Sequence, residues 1–224
     1  MVKALACEAR DGGSTPLTHP IKYQILIPSG ELEKEVLAFL NQAEFDVTFS
    51  SRCYKTEPKS LPNEFVIVRA ASIPEILSNP LFSTVLGGFT GSDILWENGW
   101  LQKSVTLPIP SPSKLFLGAI SNVNSLDQLI NSTIATKYPN IAKEYFRKLN
   151  IPVNIFPIPG KDEALPYLSN QIKAIVGIRK TGNTPLANKL KILQEISPCT
   201  INWIERSGNF TQLKLFKQKL GLCS

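Results

Sequence analysis

The sequence predicts an α/β protein built as two doubly wound lobes with a cleft between them. Two observations carry this. Short apolar runs containing β-branched residues alternate with stretches of helical periodicity, the rhythm of a largely parallel sheet covered by helices. A Pro-rich passage, LPIPSPSK from Leu107 to Lys114, interrupts that rhythm, which then resumes to near residue 195.

Along the first half, YQILI from Tyr23 reads as a strand, Pro28-Ser29-Gly30 as a turn, and ELEKEVLAFL as a helix with Leu32, Val36, Phe39 and Leu40 on one face. FDVTFS and NEFVIVRA read as the next two strands. SIPEILSN reads as a short helix, with Ser72 and Pro74 as its N-terminal signal. After the Pro-rich passage come the strand KLFLGAI, the helix SLDQLIN, the strand STIAT, and the helix NIAKEYFRKLN with Ile141, Tyr145, Phe146 and Leu149 inward. The strand PVNIFPI, a short helix around Asp162 to Leu168 and the strand IKAIVGI follow. In LANKLKILQEI, Leu186, Leu190, Leu193 and Ile196 recur at helical spacing and predict a helix. The last 26 residues hold one strand and one basic amphipathic helix, too little for a domain, so they return to the first lobe. The expected division is a loose leader over 1–20, a first lobe of 21–108 plus 196–224, and a second of 109–195.

Composition narrows the chemistry. In 224 residues, Lys and Arg total 24 against 18 Asp and Glu, so the charge of +6 favours anionic partners. There is no C2H2 spacing, no run of five basic residues and no RNA-recognition aromatic pattern, which argues against nucleic acid. The one histidine, His19, excludes a histidine-based triad or a multi-histidine metal site. Cys7, Cys53, Cys199 and Cys223 form no C-x-x-C pair. No apolar run approaches the ~18 residues of a membrane helix, and the N-terminus lacks a signal-peptide core, so a cytoplasmic protein without membrane association is expected.

One loop points to a phosphate. Lys180-Thr181-Gly182-Asn183 follows the IKAIVGI strand, with Thr184 as a helix N-cap and Pro185 at the first helical position. Backbone N–H groups, hydroxyls and a cation at a helix N-terminus form an anion cradle.

Three segments resemble the ATP phosphoribosyltransferase family: IATKYPNIAKEYFRKLNIPVNIFPIPGKDEALP from Ile134, AIVGIRKTGNTPLANKL from Ala174, and FTGSDILWE from Phe89. With weaker echoes at ILIPSGEL, Arg52, Tyr54 and VRAASIP, they span residues 23 to about 204. The resemblance implies two lobes of type II periplasmic-binding-protein character. It also implies a glycosyl transfer in which N1 of ATP attacks C1 of 5-phosphoribosyl 1-diphosphate and releases pyrophosphate, the first step of histidine biosynthesis. Lys180, Thr181, Gly182, Asn183, Thr184, Lys137 and Arg69 would bind substrate, and Glu163 and Asp93 would be the catalytic carboxylates. Mg2+ would be carried by the diphosphate, near Asp93. The chain's end matches the family's short form, which implies a homo-oligomer and a regulatory subunit resembling histidyl-tRNA synthetase.

Certain positions depart from the family pattern. Gly177 stands where the loop has an acid, Lys180 where it has a small hydroxyl residue, Ser72 where another acid is usual, and Ser29 and Glu31 where "P-K-G-R-L" has Lys and Arg. Glu31 is expected to repel an anion bound there. Three readings stay open: ATP phosphoribosyltransferase, a phosphoribosyltransferase with another acceptor, and a non-catalytic binding or regulatory paralogue.

Overall fold

The computed structural model describes residues 21–50, 52–58, 63–160, 163–180, 189–208 and 210–222. The expected leader and the loop residues Thr181, Gly182, Asn183 and Thr184 lie outside the described residues. The strands are β1 (Tyr23–Ser29), β2 (Lys55–Thr56), β3 (Asn63–Arg69), β4 (Val85–Gly91), β5 (Val105–Thr106), β6 (Lys114–Ala119), β7 (Thr133–Thr136), β8 (Asn154–Pro157), β9 (Ile172–Arg179), β10 (Lys191–Pro198) and β11 (Ile201–Glu205). The helices are α1 (Glu31–Gln42), α2 (Ile73–Ser78), α3 (Ser92–Glu97), α4 (Pro139–Lys148) and α5 (Thr211–Lys219).

Two sheets form. The first runs β2-β3-β1-β4-β11-β5 and the second β10-β6-β9-β7-β8. Each contains a parallel trio, β3-β1-β4 with antiparallel β2 and β11 on its two sides, and β9-β7-β8 with antiparallel β6 beside β9. The chain passes between the sheets through residues 107–113 and returns through Cys199 and Thr200, so β10 ends three residues past the lobe boundary expected from the sequence.

Aromatic packing holds the first lobe together. Phe216, on α5, is fully buried, with its ring centroid 5.2 Å from those of Phe45 and Trp203 and within 6.3 Å of Phe65 and Phe89. Such a cluster buries large area and gains further from tilted ring contacts. Leu213 and Leu220 join the same core, which makes α5 a docked helix with its lysines outward. Gly87 belongs to this packing, because a Cβ there would collide with the Trp203 ring. The α1 face follows its periodicity: Val36 and Leu40 are buried, with Leu32 and Phe39 packed partly against them. In α4, Ile141 and Phe146 are buried, whereas Leu149, just past its end, is 38% exposed.

Two expected elements are corrected. FDVTFS forms no strand: Asp46 has a φ of 48°, and the Asn41 side chain takes up the Val47 backbone, its Oδ1 accepting from the Val47 N–H at 2.7 Å. Phe45 and Val47 are nevertheless buried, so the alternating pattern reported burial rather than sheet pairing. The helix expected over LANKLKILQEI is overturned in its second half, where Lys191–Pro198 is β10. This strand pairs antiparallel with β6, and its register slips between Ile192 and Gln194 and again between Glu195 and Ser197. Leu193 and Ile196 are the residues inserted by these bulges, and both pack on the second-lobe core. A bulge changes the parity of a strand, so two residues three apart reach one face as they would on a helix.

Phe216→Ala should cost about 3–5 kcal/mol by opening a cavity at the aromatic hub, and lower the melting temperature by on the order of 10 °C. Thermal unfolding followed by circular dichroism checks this; a shift of a degree or less would show that α5 is peripheral to the core.

Candidate functional site

The carboxyl ends of the parallel strands of both sheets face one cleft. β1 delivers Ser29 and Glu31, β3 delivers Arg69, β4 leads to Asp93, β7 to Lys137 and Tyr138, and β9 to Arg179 and Lys180. Ligands in open α/β sheets bind beyond the strand ends, where loops diverge. Two adjoining cavities occupy the cleft. The first, of about 320 Å³, is lined by residues that include Arg69, Asp93, Lys137, Tyr138 and Cys199. The second, of about 650 Å³, is lined by Glu31, Ser113, Lys137, Glu163, Ile178, Arg179 and Lys180.

The two lobes meet behind the cleft at α3 and α4. Glu97 on α3 caps α4, since its carboxylate oxygens accept from the N–H groups of Asn140 and Ile141 at 3.0 Å. Trp96 Nε1 donates to Glu144 at 2.6 Å, and the Tyr138 hydroxyl donates to Asp93 Oδ2 at 2.6 Å. Lys148 and Trp96 hold the Glu144 carboxyl below the usual carboxylate range through their hydrogen bonds. Tyr138 is itself fixed by Thr136, whose Oγ1 accepts from the Tyr138 N–H and donates to the Val176 carbonyl. Asp93 is only 6% exposed and already holds a neutral donor.

Of the sequence-derived site residues, Arg69, Asp93, Lys137, Glu163 and Lys180 all line the cleft. Lys137 places its ammonium 5.0 Å from the Tyr138 ring centroid. The repulsion expected from Glu31 is offset: Lys180 Nζ lies 3.5 Å from both Glu31 and Glu35 on α1, bridging the two lobes across the cleft. Residues at two departures from the family pattern are therefore partners in space.

Sequence reasoning passed over Tyr138, Cys199 and Arg179. The signal for Tyr138 and Arg179 was their place at strand ends, beside Lys137 and Lys180; nothing local marks Cys199. Arg179 donates from Nη2 to Glu195 Oε1, while Lys114 Nζ donates to the other Glu195 oxygen at 2.7 Å. Among the described residues, no group of three His, Cys, Asp or Glu side chains converges to hold a metal. Magnesium takes oxygen ligands, and the carboxylates lining the two cavities among the described residues are Glu31, Asp93 and Glu163.

Burial, reinforced by the charge of Asp93, pushes the Cys199 thiol from its ordinary 9.0 up to about 12. The folded chain then binds this proton more tightly than the unfolded chain, so the stabilisation is complete below pH 9 and is lost as pH rises toward 12. Thermal stability should fall over that interval by more in the natural chain than in Cys199→Ala. Equal slopes would show that the thiol is not shielded.

The chain is similar to known proteins over most of its length. The family model described as HisG, ATP phosphoribosyltransferase, matches residues 69–220. An ATP phosphoribosyltransferase of Lacticaseibacillus casei is 32% identical over 188 residues, covering 80% of this chain and 84% of that protein. The solved ATP phosphoribosyl transferase (HisG:HisZ) complex from Thermotoga maritima superposes with a TM-score of 0.70 at 26% identity, over 89% of this chain and 96% of that one. The alkanesulfonate-binding protein SsuA from Xanthomonas axonopodis pv. citri, 11% identical, shares the fold alone, with a TM-score of 0.51 over 90% of this chain and 72% of that one. With two thirds of its length matched by the family model and most of it by the relative, the chain belongs to the ATP phosphoribosyltransferase family.

Proposed function

We propose that this chain joins 5-phosphoribosyl 1-diphosphate to N1 of ATP with release of pyrophosphate, the opening step of histidine biosynthesis. The observation that supports this best is the convergence of Arg69, Lys137, Arg179 and Lys180 with Glu163 and Asp93 at strand ends in one cleft, within a chain of this family.

The reaction forms a bond from N1 of the adenine to C1 of the ribose and breaks the bond from C1 to the diphosphate oxygen. The transition state places positive charge on the ring and negative charge on the departing diphosphate. Positioning and electrostatics dominate such a step, and little proton transfer is required. Lys137, which lines both cavities, meets the developing diphosphate charge in this reading. Glu163, lining the second cavity, offers an acceptor for ribose hydroxyls. Asp93 serves as a positioning residue: it lines the first cavity beside Tyr138 and accepts that residue's hydroxyl at Oδ2. Thr181, Gly182, Asn183 and Thr184 would hold the 5-phosphate. Magnesium supplies charge neutralisation to the diphosphate when it arrives with that substrate. A regulatory subunit like the partner in the Thermotoga complex and a cytoplasmic homo-oligomer complete this reading.

A second reading has its own support. Ser29 and Glu31 line the first cavity, where the resemblance implies two cations, and Glu31 takes up charge from Lys180. An acceptor less anionic than ATP suits that balance, within the same phosphoribosyl chemistry.

Calorimetric titration with phosphoribosyl diphosphate and magnesium, followed in the same cell by ATP, tests both readings. Binding of each in turn supports the first; binding of the sugar diphosphate alone supports the second. If neither binds at millimolar concentration, the fold has outlived the chemistry. Lys137→Met should raise KM for phosphoribosyl diphosphate about tenfold or more, the loss expected for one charge-assisted contact. An unchanged KM would remove Lys137 from the site.

A further inference from the structure

Among the described residues three cations line the second cavity, and they are not equally engaged. Lys180 lies 3.5 Å from two carboxylates of the opposite lobe. Lys137 sits over the Tyr138 ring. Among the described residues Arg179 has one carboxylate, Glu195, and shares it with Lys114, so this cluster on β6, β9 and β10 carries an excess positive charge. The Arg179 side chain is 17% exposed, and its buried Nε has no hydrogen-bond partner among the described residues. A buried donor left unpaired costs roughly 1–3 kcal/mol, and a guanidinium is suited to planar recognition of phosphate. This donor stands at the carboxyl end of β9, immediately before Lys180.

We propose that Arg179 is a phosphate-binding residue of the second cavity, its guanidinium donating to a phosphate oxygen of the phosphoribosyl substrate. The inference rests on the phosphoribosyl reading of the cleft. Glu195 then has a different role from that of a simple salt-bridge partner. It orients the guanidinium and at the same time competes with the substrate for its charge, while Lys114 weakens that competition by occupying the other carboxylate oxygen. The shared chemistry is a phosphate oxyanion, supplied either by the 5-phosphate or by the diphosphate.

The test compares Arg179→Gln with Glu195→Gln by calorimetry, using ribose 5-phosphate and magnesium diphosphate as separate probes. Arg179→Gln should weaken one probe by about tenfold or more, and that probe identifies which phosphate the residue meets. Glu195→Gln should tighten the same probe, by about threefold, because the guanidinium is relieved of its competing carboxylate. A structural ion pair makes no such distinction, since losing either partner would lower thermal stability alike and leave affinity alone. If both variants move affinity in one direction, or neither moves it while the natural chain binds, the inference is overturned. Arg179→Lys, which keeps the charge without the fork, covers the case in which Arg179→Gln fails to fold, and should show an intermediate loss. If the natural chain binds neither probe, the phosphoribosyl reading falls and the role of Arg179 falls with it.

Discussion

Everything in the cleft depends on how α3 docks against α4. The last residue of α3, Glu97, places a carboxylate on the first N–H groups of α4, where the helix dipole and the unsatisfied donors both favour an anion. One turn earlier, Asp93 receives the Tyr138 hydroxyl in a buried contact, and Trp96 donates to Glu144. These bonds join elements that follow β4 in one sheet and β7 in the other. They set the distance between the two rows of strand ends, and so the width of the cleft. Ser92 and Thr200 add a reciprocal pair at the return crossing, each donating its N–H to the other residue.

Charge inside the cleft is balanced by partners drawn from across the fold. Lys180 of the second lobe lies between Glu31 and Glu35 of the first, and Glu195 of β10 is shared by Lys114 and Arg179. Exposed pairs of this kind contribute little to stability. Their consequence is local: they decide which cations retain donor capacity for a ligand. Counting basic residues in the loop would rank Lys180 first, whereas the paired geometry leaves the unspent donor on Arg179.

The parallel trio of the second sheet, β1 and β3 of the first, the α1 and α4 faces and the docking of α5 were legible in the sequence, because each rests on a local periodicity that burial follows; β4, whose Gly87 and Gly88 interrupt the apolar run, was not read as a strand. The family was legible for a similar reason: TKYPN, the G-x-x-E-x-x-P run and the loop after IKAIVGI are contiguous. LANKLKILQEI was misread because two bulges gave a strand the spacing of a helix, and bulges are set by the partner β6. FDVTFS was misread because its burial pattern says nothing of whether a neighbouring strand is available.

The sequence by itself determined the alternation of elements, the family and the residue types gathered at the strand ends, since these follow from side-chain pattern over a few residues. Only the tertiary structure decided which charges meet. Glu31 and Lys180 are far apart in the chain and were read as separate departures, yet they lie 3.5 Å apart across the cleft. Electrostatic interaction depends on distance and surroundings rather than on order along the chain, so the state of each charge is settled when the lobes close on one another.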